Sequence, residues 1–144
     1  MVDPARVRSK LLSLTTYTAR LRVLAAMDES VYLASHAYEG RYLVQAAAQV
    51  CIDLANHLIA SSGWAPATEF RQAFDRLHEQ AVLPADLARR LQDLTGLRNR
   101  LVHLYDDVDD TLVHAGIRHG LADLDEFAEA YARAVRDAPT PDLP

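Results

Sequence analysis

The sequence predicts an all-α fold, an up-down bundle of about five helices that forms one domain. Apolar residues recur at alternating gaps of three and four along most of the chain, the spacing of one helix face. No segment alternates with period two over strand length, and only five glycines interrupt 144 residues. Two long helices, a shorter pair and a final long one, joined by short loops, pack in that way.

Asp3-Pro4 opens the first helix, as an N-cap followed by proline at the first helical position. Val7, Leu11, Leu14, Thr18, Leu21 and Ala25 form its apolar stripe to about Met27. Asp28 to Ser30 marks the next boundary, and one continuous second helix is expected to about Ser61, closed by Ser61-Ser62-Gly63. Thr68 is placed to cap a short third helix bearing Phe70, Phe74 and Leu77. Leu83-Pro84 restarts the chain, with Leu87, Leu91 and Leu94 marking a fourth helix. The acidic stretch 106–110 reads as a solvated loop in which Asp109 or Asp110 caps a fifth helix. That helix aligns Val113, Ile117, Leu121, Leu124, Ala128, Tyr131 and Val135, while Gly116 and Gly120 suit close helix packing. The domain is expected over 1–136, with 137–144 a frayed, Pro-rich tail.

Composition narrows the function classes. With 50% apolar and 24% charged residues, the chain is neither disordered nor built as a membrane protein. No run of apolar residues reaches the roughly 20 of a membrane span, and Met1–Lys10 does not read as a signal peptide, so a cytoplasmic location is expected. The single cysteine, Cys51, excludes an intramolecular disulfide and a Cys-rich zinc module. A net charge of −5 argues against an extended nucleic-acid-coating surface and leaves room for a local basic groove. Of fifteen basic residues only Lys10 is lysine; the arginines suit bidentate phosphate or carboxylate recognition. His114 and His119 are five apart, not the spacing of two ligands on one helix face, and His36 and His78 have no partner in spacing. Neither a metal nor another cofactor is assigned.

The second helix carries an unusual polar row. Tyr38, Arg41, Gln45, Gln49, Asp53 and Asn56 fall within roughly a third of the helix circumference, with His57 at its margin. An ordinary surface face is rich in Lys and Glu, whereas this one is mainly amide. It fits either a hydrogen-bonded network that fixes helix or dimer register, or the wall of a site.

The segment Arg98-Asn99-Arg100-Leu101-Val102-His103-Leu104-Tyr105 is the most specific. On a straight helix Arg98 and Tyr105 lie within about 20° of each other, whereas His103 is about 140° from Arg98. To meet on one substrate, the helix must bend near Gly96 or end before His103, or two copies of the chain must share the work. A guanidinium can hold two phosphate oxygens and steady charge that builds at phosphorus. An imidazole can take the proton of a ribose 2′-hydroxyl or deliver one to the departing 5′-oxygen. Asn99 can orient either group. The alternative is an ordinary helix end, with Arg98 paired to Asp53 and His103 beside the negative helix terminus.

These residues resemble the Arg-x4-His-x-Tyr motif of HEPN-domain proteins, in particular the HepT-like toxin family. Two further blocks are in register with it: Arg41-Tyr42-Leu43-Val44-Gln45 and Cys51-Ile52-Asp53-Leu54-Ala55-Asn56-His57. The resemblance covers about the first 136 residues. It implies a homodimeric helical bundle with both motifs lining one cleft at the dimer interface. It further implies a metal-independent endoribonuclease toxin that acts on RNA, with Arg98 and His103 as the catalytic pair and Asn99, Asp53, Arg41 and Asn56 in support. The implied antitoxin is an MntA-type minimal nucleotidyltransferase, which transfers AMP to the motif tyrosine, here Tyr105. The other function class consistent with the residues is a non-catalytic HEPN subunit that positions nucleotide or substrate for a partner nucleotidyltransferase.

Overall fold

The computed structural model describes residues 2–103 and 107–137, which form six helices and no strand. These are α1 (Pro4–Ala25), α2 (Glu29–Ser35), α3 (Ala37–Ser62), α4 (Phe70–Glu79), α5 (Ala85–His103) and α6 (Asp110–Arg136). The expected all-α bundle is present, with one helix more than expected. The long second helix is divided at His36, whose backbone (φ −128°, ψ 4°) leaves the helical range. Its N–H still bonds the Tyr32 carbonyl at 2.8 Å, and its carbonyl accepts from Gly40 N–H at 2.9 Å. The chain therefore changes direction without leaving buried backbone groups unpaired. The turn lays the buried Tyr32 ring against Gly40, where a side chain would not fit.

Most boundaries follow local chemistry. Asp3 caps α1 by accepting from the N–H groups of Ala5 and Arg6 at 3.1 and 3.2 Å, and Pro4 begins the helix. Gly63 closes α3 in the left-handed region, at φ 70°. Asp109 caps α6 by accepting from Thr111 N–H at 3.0 Å. Thr68 does not cap α4: Glu69 occupies that position, and both the N–H and hydroxyl of Thr68 donate to Gln72 Oε1 at 2.9 Å. The side chain of Gln72, one turn into α4, satisfies the approach to the helix in its place. The expected tail 137–144 lies outside the described residues beyond Asp137.

α3 is the central helix and packs against α1, α4, α5 and α6. Lys10–Asp53 and Arg20–Glu39 contacts run α1 antiparallel to α3. Arg41–Asp110 at one end and Tyr131 Oη donating to the Leu54 carbonyl at 2.8 Å further along run α6 parallel to α3. α5 returns antiparallel to α6: β-carbons added at Gly116 and Gly120 would lie 3.4 and 3.7 Å from the side chains of Leu97 and Leu94. Hence the end of α1 and the start of α3 share one end of the bundle with the end of α5 and the start of α6.

α3 bears on the expectation that no apolar run approaches the length of a membrane span. By length and composition it could cross a membrane, with a mean hydropathy of 1.3 over its most apolar stretch, of which 56% is buried inside the bundle. Its apolarity serves the core. Leu43, Val44, Ala47, Ala48, Cys51, Leu54, Ala55 and Leu58 are all buried there. Cys51 is fully buried, and desolvation pushes its thiol well above the ordinary range. On α6 the core takes Phe127 and His114, which the simple apolar stripe omits.

Candidate active site

α5 runs unbroken through Gly96 to His103. Gly96 is an ordinary helical residue with no heavy atom within 4 Å of where a β-carbon would stand. The helix therefore does not end before His103. Arg98 and His103 leave one continuous helix about 140° apart around its axis. In a single chain they face different directions.

Arg98 is half-buried and donates from Nη1 to Asn99 Oδ1 at 2.9 Å, so Asn99 steadies the guanidinium as expected. Among the described residues it meets no carboxylate; the alternative pairing with Asp53 does not form. His103 is exposed on the final turn. Arg100, also exposed, lies about 60° from His103 around the helix and places a second guanidinium on its side. Sequence reasoning gave Arg100 no role, although its spacing of three from His103 carried the signal. Tyr105 lies outside the described residues, as does Asp106.

The supporting residues of α3 have other engagements. Arg41 makes a two-pronged ion pair with Asp110, through Nε and Nη2 at 2.7 Å each, and its guanidinium lies 5.2 Å from the centre of the Tyr38 ring. This pair ties the start of α3 to the start of α6, beyond the segment that carries the motif's end. Asp53 receives Lys10 Nζ at 3.0 Å on one oxygen and Gln49 Nε2 at 2.9 Å on the other. Asn56 is exposed. Arg41 and Asp53 lie twelve residues apart, about 18 Å along the helix, so the polar row cannot converge on one small substrate. The structure places Arg41 at the end of the bundle that holds His103. Asp53 and Asn56 lie toward the other. The carboxylate partner of Arg41 was not legible, because Asp110 was read only as a possible cap.

The remaining histidines mostly do structural work. His57 accepts the Asp3 N–H at Nε2, 3.1 Å away, and desolvation with nearby Arg6 lowers its pKa. His114 is buried, stacks on Tyr32 with ring centres 4.2 Å apart, and bonds the Leu24 carbonyl at 2.9 Å. His78 bonds the Leu83 carbonyl at 2.9 Å, and His36 lies 3.4 Å from Glu39. His119 is exposed on α6.

Chemically, the end of α5 offers one anchored guanidinium that meets no carboxylate among the described residues, one exposed imidazole and a second exposed arginine. That set suits a phosphodiester, with charge neutralised on one side and protons moved on another.

Comparison with known proteins gives consistent relatives. The family described as Ribonuclease HepT-like matches residues 14–131, a span that includes Arg98 and His103. A tRNA nuclease HepT from Aphanizomenon flos-aquae is 28% identical over 122 residues, covering 83% of each chain. An mRNA nuclease HepT from Shewanella oneidensis is 30% identical over 87 residues, 60% of this chain and 65% of that one. Among solved structures, the tri-AMPylated Shewanella oneidensis HEPN toxin in complex with MNT antitoxin superposes with a TM-score of 0.79. It is 22% identical and covers 88% of this chain and 96% of its own, a likeness of fold.

Proposed function

We propose, from the premise that this chain belongs to the HepT-like ribonuclease family, that it is the endoribonuclease toxin of a toxin–antitoxin pair. Its cytoplasmic substrate is RNA and its active form is a homodimer. The reaction is transesterification within the RNA strand. The ribose 2′-oxygen attacks the adjacent phosphorus, the bond to the 5′-oxygen breaks, and a 2′,3′-cyclic phosphate and a free 5′-hydroxyl result. Arg98, held by Asn99, grips the phosphoryl oxygens and offsets the charge that accumulates on them. His103 moves the proton at the attacking or the departing oxygen. Because the nucleophile belongs to the substrate, no metal is required and DNA is not cut. The pairing of Arg41 with Asp110 and of Asp53 with Lys10 gives both α3 residues a supporting role in architecture, not in proton transfer.

The observation that supports this reading most is the state of Arg98. Within the matched segment it is half-buried, oriented by a neutral amide, and faces no carboxylate among the described residues. Arg20, Arg22, Arg41, Arg76 and Arg90 are each held by a carboxylate and Arg118 by the carbonyls of Ala25 and Met27, whereas Arg98 is held by the neutral Asn99 alone among the described residues.

Control is proposed to act through Tyr105 and an MNT-type nucleotidyltransferase, the partner class seen with the Shewanella toxin. Transfer of AMP to the phenol adds anionic phosphate to the motif, a group that can pair with Arg98 in competition with the RNA phosphate.

The test is cleavage of RNA by purified protein in EDTA. Arg98→Ala and His103→Ala are each expected to lower the rate at least about 100-fold, the scale of one lost acid–base or charge-stabilising group. Mixing the two variants is expected to restore roughly a quarter of wild-type activity, since random pairing creates dimers with one intact site. Cleavage that persists in both variants overturns the reading.

A further inference from the structure

We infer that Arg100 holds the RNA phosphate next to the one that is cut, so that the substrate is a strand extending beyond the scissile linkage; this rests on the endoribonuclease reading above. Arg100 is exposed in the last turn of α5 and makes no hydrogen bond or ion pair among the described residues. It stands three residues before His103, also exposed, at the spacing of neighbours on one helix face. Around the helix axis it is about 160° from Arg98. Arg100 therefore leaves α5 on the side of the imidazole, away from the Arg98 of its own chain.

Among the described residues, the other arginines at this end of the bundle are occupied. Arg20 pairs with Glu39, Arg22 with Asp125 and Arg41 with Asp110, and Arg118 donates to the carbonyls of Ala25 and Met27. Two exposed carboxylates, Asp107 and Asp109, stand just ahead of α6, and the whole chain carries a net charge of −5. A polyanion that approaches His103 is repelled unless a free cation answers it, and the affinity of a nucleic-acid strand is dominated by its phosphates. In the proposed reaction Arg98 is committed to the scissile phosphate. Arg100 is the guanidinium that remains for the rest of the strand.

Spacing selects the neighbouring linkage. Three residues of helix advance about 4.5 Å. One nucleotide of a stacked strand advances about 3.4 Å. With His103 at the linkage that breaks, Arg100 falls one phosphate along. A phosphate contact fixes register without reading sequence, so Arg100 sets which linkage lies against the imidazole. A cation in the last turn also favours the helix dipole, a structural role that acts on stability and not on RNA affinity. Arg89 supplies a control on the same helix. It is exposed, within about 20° of Arg100 around the axis, and eleven residues away, about 16 Å toward the other end, out of reach of the same phosphate.

The experiment uses full-length protein and a single-stranded RNA oligonucleotide with one cleavage site mapped on the wild type. Arg100→Gln, Arg100→Lys and Arg89→Gln are compared, with circular dichroism to establish that each is folded. Arg100→Gln is expected to raise KM about fivefold or more, with the effect in KM and not in kcat. The slope of log affinity against log salt should become shallower by about 0.7 for the lost contact. Arg100→Lys should recover most of the affinity, since a phosphate accepts a point charge. Arg89→Gln should bind as wild type does. An oligonucleotide made neutral at the linkage beside the cleaved one, as a methylphosphonate on whichever side weakens wild type, should bind Arg100→Gln no worse than the unmodified RNA does, because both changes remove one contact. An unchanged KM in Arg100→Gln, a loss confined to kcat, an equal loss in Arg89→Gln, or a lowered melting temperature with KM intact each overturns the inference while the nuclease reading stands. Fluorescence anisotropy with the same kind of oligonucleotide covers a wild type that cuts nothing. Affinity that depends on Arg100 then keeps the phosphate contact and removes the nuclease reading; absence of binding removes both.

Discussion

Gly40 of α3 and Tyr32 of α2 fit as socket and knob: a β-carbon on Gly40 would overlap the Tyr32 hydroxyl and stand only 2.8 Å from its Cζ. The ring is held on its other side by His114, so it has no route of retreat. Gly40→Ala is therefore expected to destabilise the protein by about 1–3 kcal/mol, the range for overpacking a filled core. Urea denaturation with an unchanged midpoint would refute the fit.

Tyr32 carries its own prediction. Its hydroxyl is buried without a hydrogen-bond partner among the described residues. Tyr32→Phe should stabilise the fold by about 1 kcal/mol, the release of an unmet desolvation cost. Burial, with Asp110 nearby, pushes the phenol up to about 12. Its neutral form is favoured in the folded state, so the stability it contributes is complete below the ordinary tyrosine pKa of about 10 and is lost as pH rises toward 12. The Phe variant should resist alkaline unfolding over that window; equal midpoints for the two proteins would contradict it.

Gly96 gives the opposite case to Gly40. It stands inside α5 with open space around it, so Gly96→Ala removes backbone freedom from the unfolded chain without a clash. A gain of about 0.5–1 kcal/mol is expected. Nuclease activity should be unchanged, because α5 is already continuous there. A loss of rate at wild-type stability would mean that catalysis needs a bend which this structure does not display.

His57 links acidity to the start of α1. It accepts the Asp3 N–H only when neutral, and desolvation followed by Arg6 lowers its pKa. A histidine held neutral adds stability above its unfolded pKa of about 6.5, and that stability is lost as pH falls through the lowered folded value. Hydrogen-exchange protection, taken relative to the intrinsic rate at each pH, should fall at the first turn of α1 as the solution is acidified below the ordinary histidine pKa of about 6.5, while α6 stays protected. An equal loss of protection in both helices would place the acid-labile group elsewhere.

Tyr105→Phe is expected to separate catalysis from the proposed control. The variant should cleave RNA at the wild-type rate and escape silencing by a nucleotidyltransferase partner with ATP. Silencing of both proteins to the same degree would exclude this tyrosine as the modified residue.

Much of this architecture is legible before any coordinates. Asp3-Pro4, Gly63 and Asp109 announce helix ends through chemistry confined to a few residues, and the three-four stripe of α1 follows its buried face. The break at His36 is not legible in that way, because Tyr32 and Gly40 meet only once the helices are docked. Arg98 and His103 stand out through the resemblance to the Arg-x4-His-x-Tyr motif, because their spacing alone suits an ordinary helix end; the bond from Arg98 to its neighbour Asn99 is of the local kind that sequence can suggest. The duties of Arg41 and Asp53 are not. Asp110 is 69 residues from Arg41, and Lys10 is 43 from Asp53. Local pattern assigned both acceptors to other tasks or to none.

The burial of Cys51 turns the chain into its own gauge of opening. With the sole thiol sealed at the centre of α3 and its ionisation suppressed, a water-soluble disulfide reagent can react only after the bundle parts. The labelling rate of unmodified protein then reports how often the core breathes, and a cysteine engineered onto the surface can be tagged without competition.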